Sequence, residues 1–558
     1  MNSSAIQGIC CILLKKGIFF LILASLAASS EASLPFSELM RARIEQMRSS
    51  GAANIDGRQI IAINLIADAY IRNSFQPIWG NQHNIKQLVA LIQTATDEGL
   101  NREDYLYSFI TAKLAMDTDS TIDEVDRELL LSDMFFRLAY HYHYGKTNPK
   151  RLSRSWNFSQ IGSNIEPVSL LLKASQSSNI KETLQQLLPA MPHYTALRKA
   201  LKQYRNIKTN GGWAAIPAGP LLKRGLSSER VPWLRNRLKI TGELAQESMT
   251  STDSFSTEIE QAVIRFQQRH GLEDDGIVGP ETLAAMNVPI ESRIDQLRAN
   301  MERLRWVSQY LPQNYILVDI AGFRVKLFLD GRNTWTTRAV VGTPYRKTPV
   351  FRSLMTYLVL NPSWTVPPTI LKEDLLPKLR KDRSVLREKR LSIIDNAANE
   401  IDPETFDWSS VTIKNFNFYL RQKPGPSNAL GRIKFMFPNN YSVYLHDTPS
   451  KNLFEASQRA FSSGCIRIED PLKLAEILLQ SNKGWDRNRL EQEINSGQTR
   501  TVNLNLPIPV LLMYFTAEAE EDNLIQFRKD LYQRDASIII ALNQPLSQIA
   551  VIDMPVWH

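Results

Sequence analysis

The chain has 558 residues, 43% of them hydrophobic and 22% charged, with 66 Lys and Arg against 57 Asp and Glu for a net charge of +9. That composition excludes a disordered or low-complexity chain, since enough apolar surface is present to build packed cores, and the length allows three or four domains. The positive balance favours an anionic partner without naming one. At the N-terminus, Lys15 and Lys16 precede an apolar run at 18–26 and then small residues. This pattern predicts a secretory signal over residues 1–29. The run is shorter than the roughly 20 apolar residues of a membrane span. The apolar stretch at 9–14 extends it, so an uncleaved inner-membrane anchor is the alternative. For an exported chain, cell wall or lipid headgroups fit the charge better than nucleic acid.

Three cysteines are present, and Cys10 and Cys11 fall inside the signal. Cys465 then stands alone, with no intramolecular disulfide open to it. An unpaired thiol in an exported protein is a liability unless it is used.

Residues 34–222 read as a helical scaffold. The segments "IIAINLIADAYIRNSF", "NIKQLVALIQTATDEGL" and "DEVDRELLLSDMFFRLAYHYHYG" repeat apolar residues every three or four positions. His141 and His143 are two apart, so a helix turns them to different faces and not toward one metal, one in an aromatic core and one at the surface. "NGGWAAIPAGPLLKRG" marks a boundary. A compact unit follows at 223–290. Its second helix sets Ile259, Val263, Phe266 and His270 on one face, Asp275-Gly276 makes a turn, and Pro280 starts the next helix. A connecting helix is expected at 291–313. Strand texture runs over 314–515, with hairpin turns at Ala321-Gly322 and Asp330-Gly331 and a mixed-charge insertion at about 370–412. Residues 516–558 form a C-terminal segment.

Near Cys465, alternation along "YSVYLH" puts Tyr444 and His446 on one strand face, with Val443 and Leu445 on the other. A histidine beside a cysteine supplies the parts of a thiol nucleophile, and a neighbouring imidazolium would make thiolate available at neutral pH. Gly464 permits close backbone approach, so loop amides could hold an oxyanion. Arg467 adds positive charge. On spacing alone, a buried structural cysteine explains the residue as well as a nucleophile does. Zinc is disfavoured, because no second ligand lies at the needed spacing.

Two longer matches go further. "DGIVGPETLAAM" and the helix before it resemble the three-helix peptidoglycan-binding module, which implies contact with cell-wall glycan through residues 231–290. "YLHDTP" followed by "FSSGCIRIEDP" resembles the active-site signature of L,D-transpeptidases of the YkuD type. "NPSWTVPPTI", "RQKPGPSNALG", the stretch from 507 to 535 and "YIRNSFQPIW" are similar to its large YcbB-like branch. The resemblance implies a multidomain α+β chain: helical scaffold, wall-binding module, and a mostly β, sandwich-like catalytic domain whose 370–412 insertion is a lid.

By the same resemblance, Cys465 is the acylated nucleophile and His446 its base, oriented by a backbone carbonyl, that of Asp447. Tyr444 and the amides of Gly464 and Cys465 are oxyanion candidates, and Arg467 and Trp364 line the substrate. Ser463 and Asp447 stand where many relatives carry histidine and glycine, leaving the work of positions 447, 462 and 463 open. No cofactor or metal is implied. The implied partners are peptidoglycan tetrapeptide stems, both donor and acceptor, in a Gram-negative periplasm. The implied product is a 3→3 crosslink made through a cysteine thioester, with carbapenems acylating the same thiol. Carboxypeptidase action, D-amino-acid exchange and lipoprotein attachment are the same-site alternatives; a non-catalytic wall-binding scaffold is the alternative from another class.

Overall fold

The computed structural model describes residues 34–116, 120–158, 165–246, 253–519 and 524–546. The expected signal at 1–29 and the last twelve residues lie outside them. None of the described helices is long and apolar enough to cross a membrane.

The N-terminal region is helical, with α1 (Phe36–Ser50), α2 (Ile63–Arg72), α3 (Gln82–Gln93), α4 (Thr121–Tyr144) and α5 (Pro192–Thr209) as its main members. Neighbours pack closely around α4 from Val125 on, so even Asp126, Glu128, Asp133 and Arg137 are buried and must be satisfied internally. Asp133 accepts the amides of Ile61 and Ala62 at 2.8 and 2.7 Å, while Glu128 accepts the Tyr70 hydroxyl at 2.6 Å and the Ile78 amide at 2.8 Å. His141 and His143 are both buried, which corrects the expected surface position for one of them.

The next unit holds α6 (Val231–Thr241), α7 (Thr257–His270) and α8 (Pro280–Met286) around a separate core. Ser256 caps α7 by accepting the Ile259 amide at 3.3 Å, and Gly271 ends the helix with φ of +63°. Ile259, Val263, Phe266 and His270 are all buried on the face that the periodicity selects.

Helix α9 (Ile290–Ser308) follows at the expected place, and the unexpected feature is its burial. Arg293, Gln296, Asn300, Glu302, Arg303 and Arg305 are all buried along it. It runs between scaffold and sheet and satisfies its charges there. Arg305 pairs with Glu302 at 2.6 Å and donates to the Tyr194 hydroxyl at 2.8 Å, and Arg303 meets Asp535 at 2.6 Å. Burying charge is tolerated only with such partners.

Nine strands form one sheet: β1 (Tyr315–Asp319), β2 (Arg324–Leu329), β3 (Arg332–Gly342), β4 (Phe351–Leu360), β5 (Ile433–Met436), β6 (Leu445–His446), β7 (Ala460–Ser462), β8 (Ile466–Ile468) and β9 (Arg500–Met513). Their order is β7-β3-β8-β6-β5-β4-β9-β1-β2, and β2 also pairs with β3, so the sheet closes on itself with β7 along one side. The long β4–β9 pairing shifts register between Asn503 and Ile508, around Pro507, which has no N–H for the ladder. Every residue of β1 is buried, because that strand is covered on both faces.

Between β4 and β5 the chain builds a small four-stranded sheet from Trp364–Thr365, Leu391–Ile394, Glu400–Ile401 and Tyr419–Gln422. It has its own core, including Leu375, Leu379, Ile393, Trp408 and Leu420. The chain is thus a multidomain α+β protein, with a helical region, a three-helix unit and a mostly β unit. The scaffold and the closed sheet share one continuous core.

Candidate active site

Strands β5, β6 and β8 lie side by side, and their register aligns Lys434, His446 and Arg467 in one row. Residues paired across a ladder project to the same face, so three basic side chains share one surface. Val443 and Leu445 point the other way into the core. Tyr444 stands beside the row, its ring 5.6 Å from that of His446, with Lys434 Nζ 3.9 Å above it. Cys465 lies in the turn between β7 and β8, half-exposed, and its thiol donates to Ser442 O at 3.6 Å.

The imidazole orientation is fixed. His446 Nδ1 lies 2.5 Å from the carbonyl oxygen of Asp447. A carbonyl only accepts, so Nδ1 carries the proton and Nε2 keeps its lone pair. Among the described residues no hydrogen bond joins Nε2 to the thiol, leaving Nε2 free to take a proton during a reaction.

The charge state differs from the sequence expectation of thiolate beside imidazolium. Burial, and then the charge of Arg467, push His446 down to about 3. Burial pushes the Cys465 thiol up, against the Tyr444 amide and phenol and the charges of Lys434 and Arg467. Both groups therefore rest neutral at pH 7, because a closed, already cationic site disfavours one more positive charge. Alkylation of Cys465 by iodoacetamide should accordingly rise with pH through a single inflection above the ordinary thiol range. A resting ion pair would instead give a plateau from about pH 4 to 8.

The nucleophile turn is held from two sides. The Ser462 hydroxyl accepts the Gly464 amide at 3.1 Å and donates to Cys465 O at 2.5 Å, stapling the turn from within. Gly464 itself has φ of +116°, where a side chain would be strained. Its amide is engaged, which removes it from the oxyanion donors expected there. The Cys465 amide has no protein partner among the described residues. From outside, Thr348 Oγ1 donates to Gly464 O at 2.9 Å and accepts the Gly342 amide at 2.9 Å. The Tyr532 hydroxyl donates to Gly342 O at 2.5 Å.

Ser463 faces the small sheet. Arg346 donates to Ser463 Oγ at 2.9 Å and forks onto Asp374 at 2.6 and 2.8 Å, with Glu373 at 2.8 Å. Burial lowers Arg467, and its Nε is buried without a partner among the described residues. Trp364 lies on the small sheet, paired with Gln422 and packed on that unit's core. Asp447 accepts the Arg432 amide and Lys451 Nζ, both at 2.8 Å, and so clamps the strand end carrying His446.

Sequence reasoning missed Lys434, Arg346, Thr348 and Tyr532. Lys434 was visible as the lone charge in "IKFMF", alternating away from the buried Ile433 and Phe435. The other three depend on long-range packing and carry no local signal.

Comparison with known proteins agrees with this layout. The L,D-transpeptidase catalytic domain (YkuD) family matches residues 313–492, the peptidoglycan-binding domain family 227–286, and a scaffold domain family 64–201. A Haemophilus influenzae protein named "Putative L,D-transpeptidase" is 39% identical over 252 residues, 45% of this chain and 50% of that protein. The chain thus spans about half the length of that curated relative. Among solved structures, an L,D-transpeptidase from Xylanimonas cellulosilytica DSM 15894 is 16% identical, covering 53% of this chain and 99% of that one at a TM-score of 0.16. One from Mycobacterium smegmatis is 13% identical, covering 36% and 58% at 0.17. These overlays carry no weight beside the family matches.

Proposed function

From a chain that carries a YkuD-type L,D-transpeptidase catalytic domain beside a peptidoglycan-binding domain, we propose a periplasmic cysteine acyltransferase of the YcbB-like branch that forms 3→3 crosslinks. The observation that carries this reading is a thiol at a stapled turn beside an imidazole whose Nδ1 is locked on a carbonyl. Cys465 Sγ attacks the carbonyl joining the third stem residue, diaminopimelate, to terminal D-alanine, and its proton passes to His446 Nε2. The Cys465 amide and the Tyr444 hydroxyl stabilise the oxyanion. Collapse returns the proton to the D-alanine amine, which leaves, and a thioester remains. The side-chain amine of a second stem's diaminopimelate then attacks, Nε2 takes its proton, and the thiol is released. The small sheet, tied to Ser463 through Arg346, acts as a lid that limits water and favours aminolysis over hydrolysis. Trp364 at its base contacts the stem, and carbapenems acylate the same thiol.

Arg467 supplies the unpaired guanidinium for a stem carboxylate. Arg467→Gln should raise KM for the donor by about 10- to 100-fold, the worth of one charged hydrogen bond. The iodoacetamide reaction of Cys465 should change little by comparison, so the two assays together separate substrate binding from thiol chemistry.

The deciding experiment incubates the protein with disaccharide-tetrapeptides and analyses products by mass spectrometry. Dimers joined between two diaminopimelate residues, with D-alanine released, are expected. Release of D-alanine without dimers would assign the site to carboxypeptidase chemistry instead. No release at all would leave a wall-binding scaffold.

A further inference from the structure

A cavity of about 920 Å³ lies away from the nucleophile, where the end of α7, α8, α9, the β1–β2 turn, residues 457–459 and the C-terminal segment meet. None of Cys465, His446, Tyr444 or Arg467 lines it. Its wall is drawn from the three-helix unit, the connecting helix and the catalytic sheet together, so no one of them forms it alone.

The charges on that wall are unevenly matched. Among the described residues, Arg459 donates only to backbone carbonyls, those of Ala456 at 2.7 Å, Phe323 at 3.2 Å and Ala339 at 3.3 Å. Burial, and then Arg338, Arg324 and Arg528, hold it down at about 10; Glu469 opposes them. Arg293, buried on α9, donates to Gln296 Oε1 at 2.9 Å and Ala285 O at 3.0 Å, and its Nε has no partner among the described residues. Lys529 stands exposed at the rim.

Of the acids on the same wall, two pair with cations outside it, two take neutral donors and one is exposed. Asp295 pairs with Arg298 at 2.9 Å, Asp535 with Arg303 at 2.6 Å, and Asp530 accepts the Tyr514 hydroxyl at 2.9 Å. Asp274 accepts Gln268 Nε2 at 3.0 Å, and Glu281 is exposed. Guanidinium groups facing a cavity with only neutral partners are costly to desolvate, and an anion relieves that cost. Phe323 and Phe527 add apolar walls, Phe527 lying under Arg293 at 4.8 Å.

We infer that this junction is a second peptide site, which takes a short peptide bearing two or more carboxylates. The volume suits a ligand of that size. If the wall-crosslinking function holds, the natural occupant is an uncrosslinked stem peptide, held apart from the two that react. The site also borders β7, whose far end is the Ser462 staple.

Calorimetric titration of the full chain as Cys465→Ala tests this with three probes: stem tetrapeptide, triglutamate and inorganic phosphate. Two sites are expected for the tetrapeptide. Arg459→Gln should weaken one of them at least about tenfold, as expected for one lost charged hydrogen bond, and leave the other. Lys529→Glu, an exposed change that spares the packing, should weaken the same site several-fold. Triglutamate should bind once and respond to both variants, whether or not the stem is a substrate. A cavity site that responds while no stem is turned over by the unaltered protein would keep this inference and reject the crosslinking function. One tetrapeptide site unaffected by either variant, or phosphate binding as tightly as triglutamate, would overturn it.

Discussion

Cys465→Ala should reduce D-alanine release and dimer formation by at least about 10⁴-fold, the scale of losing a covalent nucleophile. The fold should survive. The thiol is half-buried, and its contacts are weak ones, to Ser442 O at 3.6 Å and to the Tyr444 amide and phenol. Its loss should change unfolding free energy by no more than about 0.5 kcal/mol, as is usual away from packed features. His446→Ala should lose about 10²–10⁴-fold, the worth of a positioned base. The double variant should be no worse than Cys465→Ala alone, because base and nucleophile act as one unit. Turnover with intact folding in Cys465→Ala, read by product mass spectrometry and thermal unfolding, would reject the nucleophile.

The second large effect lies off the site. An added Cβ at Gly342 would fall on the carbonyl oxygen of Arg346 and sit 2.8 Å from the Thr348 amide nitrogen. Both are backbone atoms, which cannot rotate aside as a flexible side chain would. Gly342→Ala must therefore displace the 342–348 turn and with it Thr348, which holds Gly464 O. A loss of about 1–3 kcal/mol in stability is expected from the overpacking, together with a fall in kcat. Gly80→Ala is the control, since nothing lies within 4 Å of its added Cβ. Equal melting temperatures for the two variants would refute the steric account.

Legibility from sequence followed the range of the interactions. The placement of Tyr444 and His446 opposite the buried Val443 and Leu445 was readable because strand alternation fixes which side chains share a face, whereas Cys465 stood out only through the resemblance. The face of α7 was readable for the same reason, and its four named residues are buried. The charge state of the pair was not readable. Whether an imidazole lowers a thiol or is itself suppressed depends on burial and on Arg467 and Lys434, which reach it through strand pairing. Helix α9 shows the same limit more strongly. A run such as "NMERLRW" suggests a solvated face, yet Glu302 and Arg305 are enclosed because Thr147, Tyr194 and Glu98 arrive from the scaffold to bond them. The work of Ser462, left open by the sequence, is to staple the turn.

The division of cores has a consequence for how the chain comes apart. The three-helix unit and the small sheet each keep private apolar clusters, whereas scaffold and closed sheet share one. Cooperative units follow shared burial and not the edges of sequence families. Residues 313–492 expressed alone would leave the apolar side of β1 and the sockets of α9 open to water. The smallest piece that melts as a single transition is therefore scaffold plus sheet, and the small sheet can loosen while that frame stays intact.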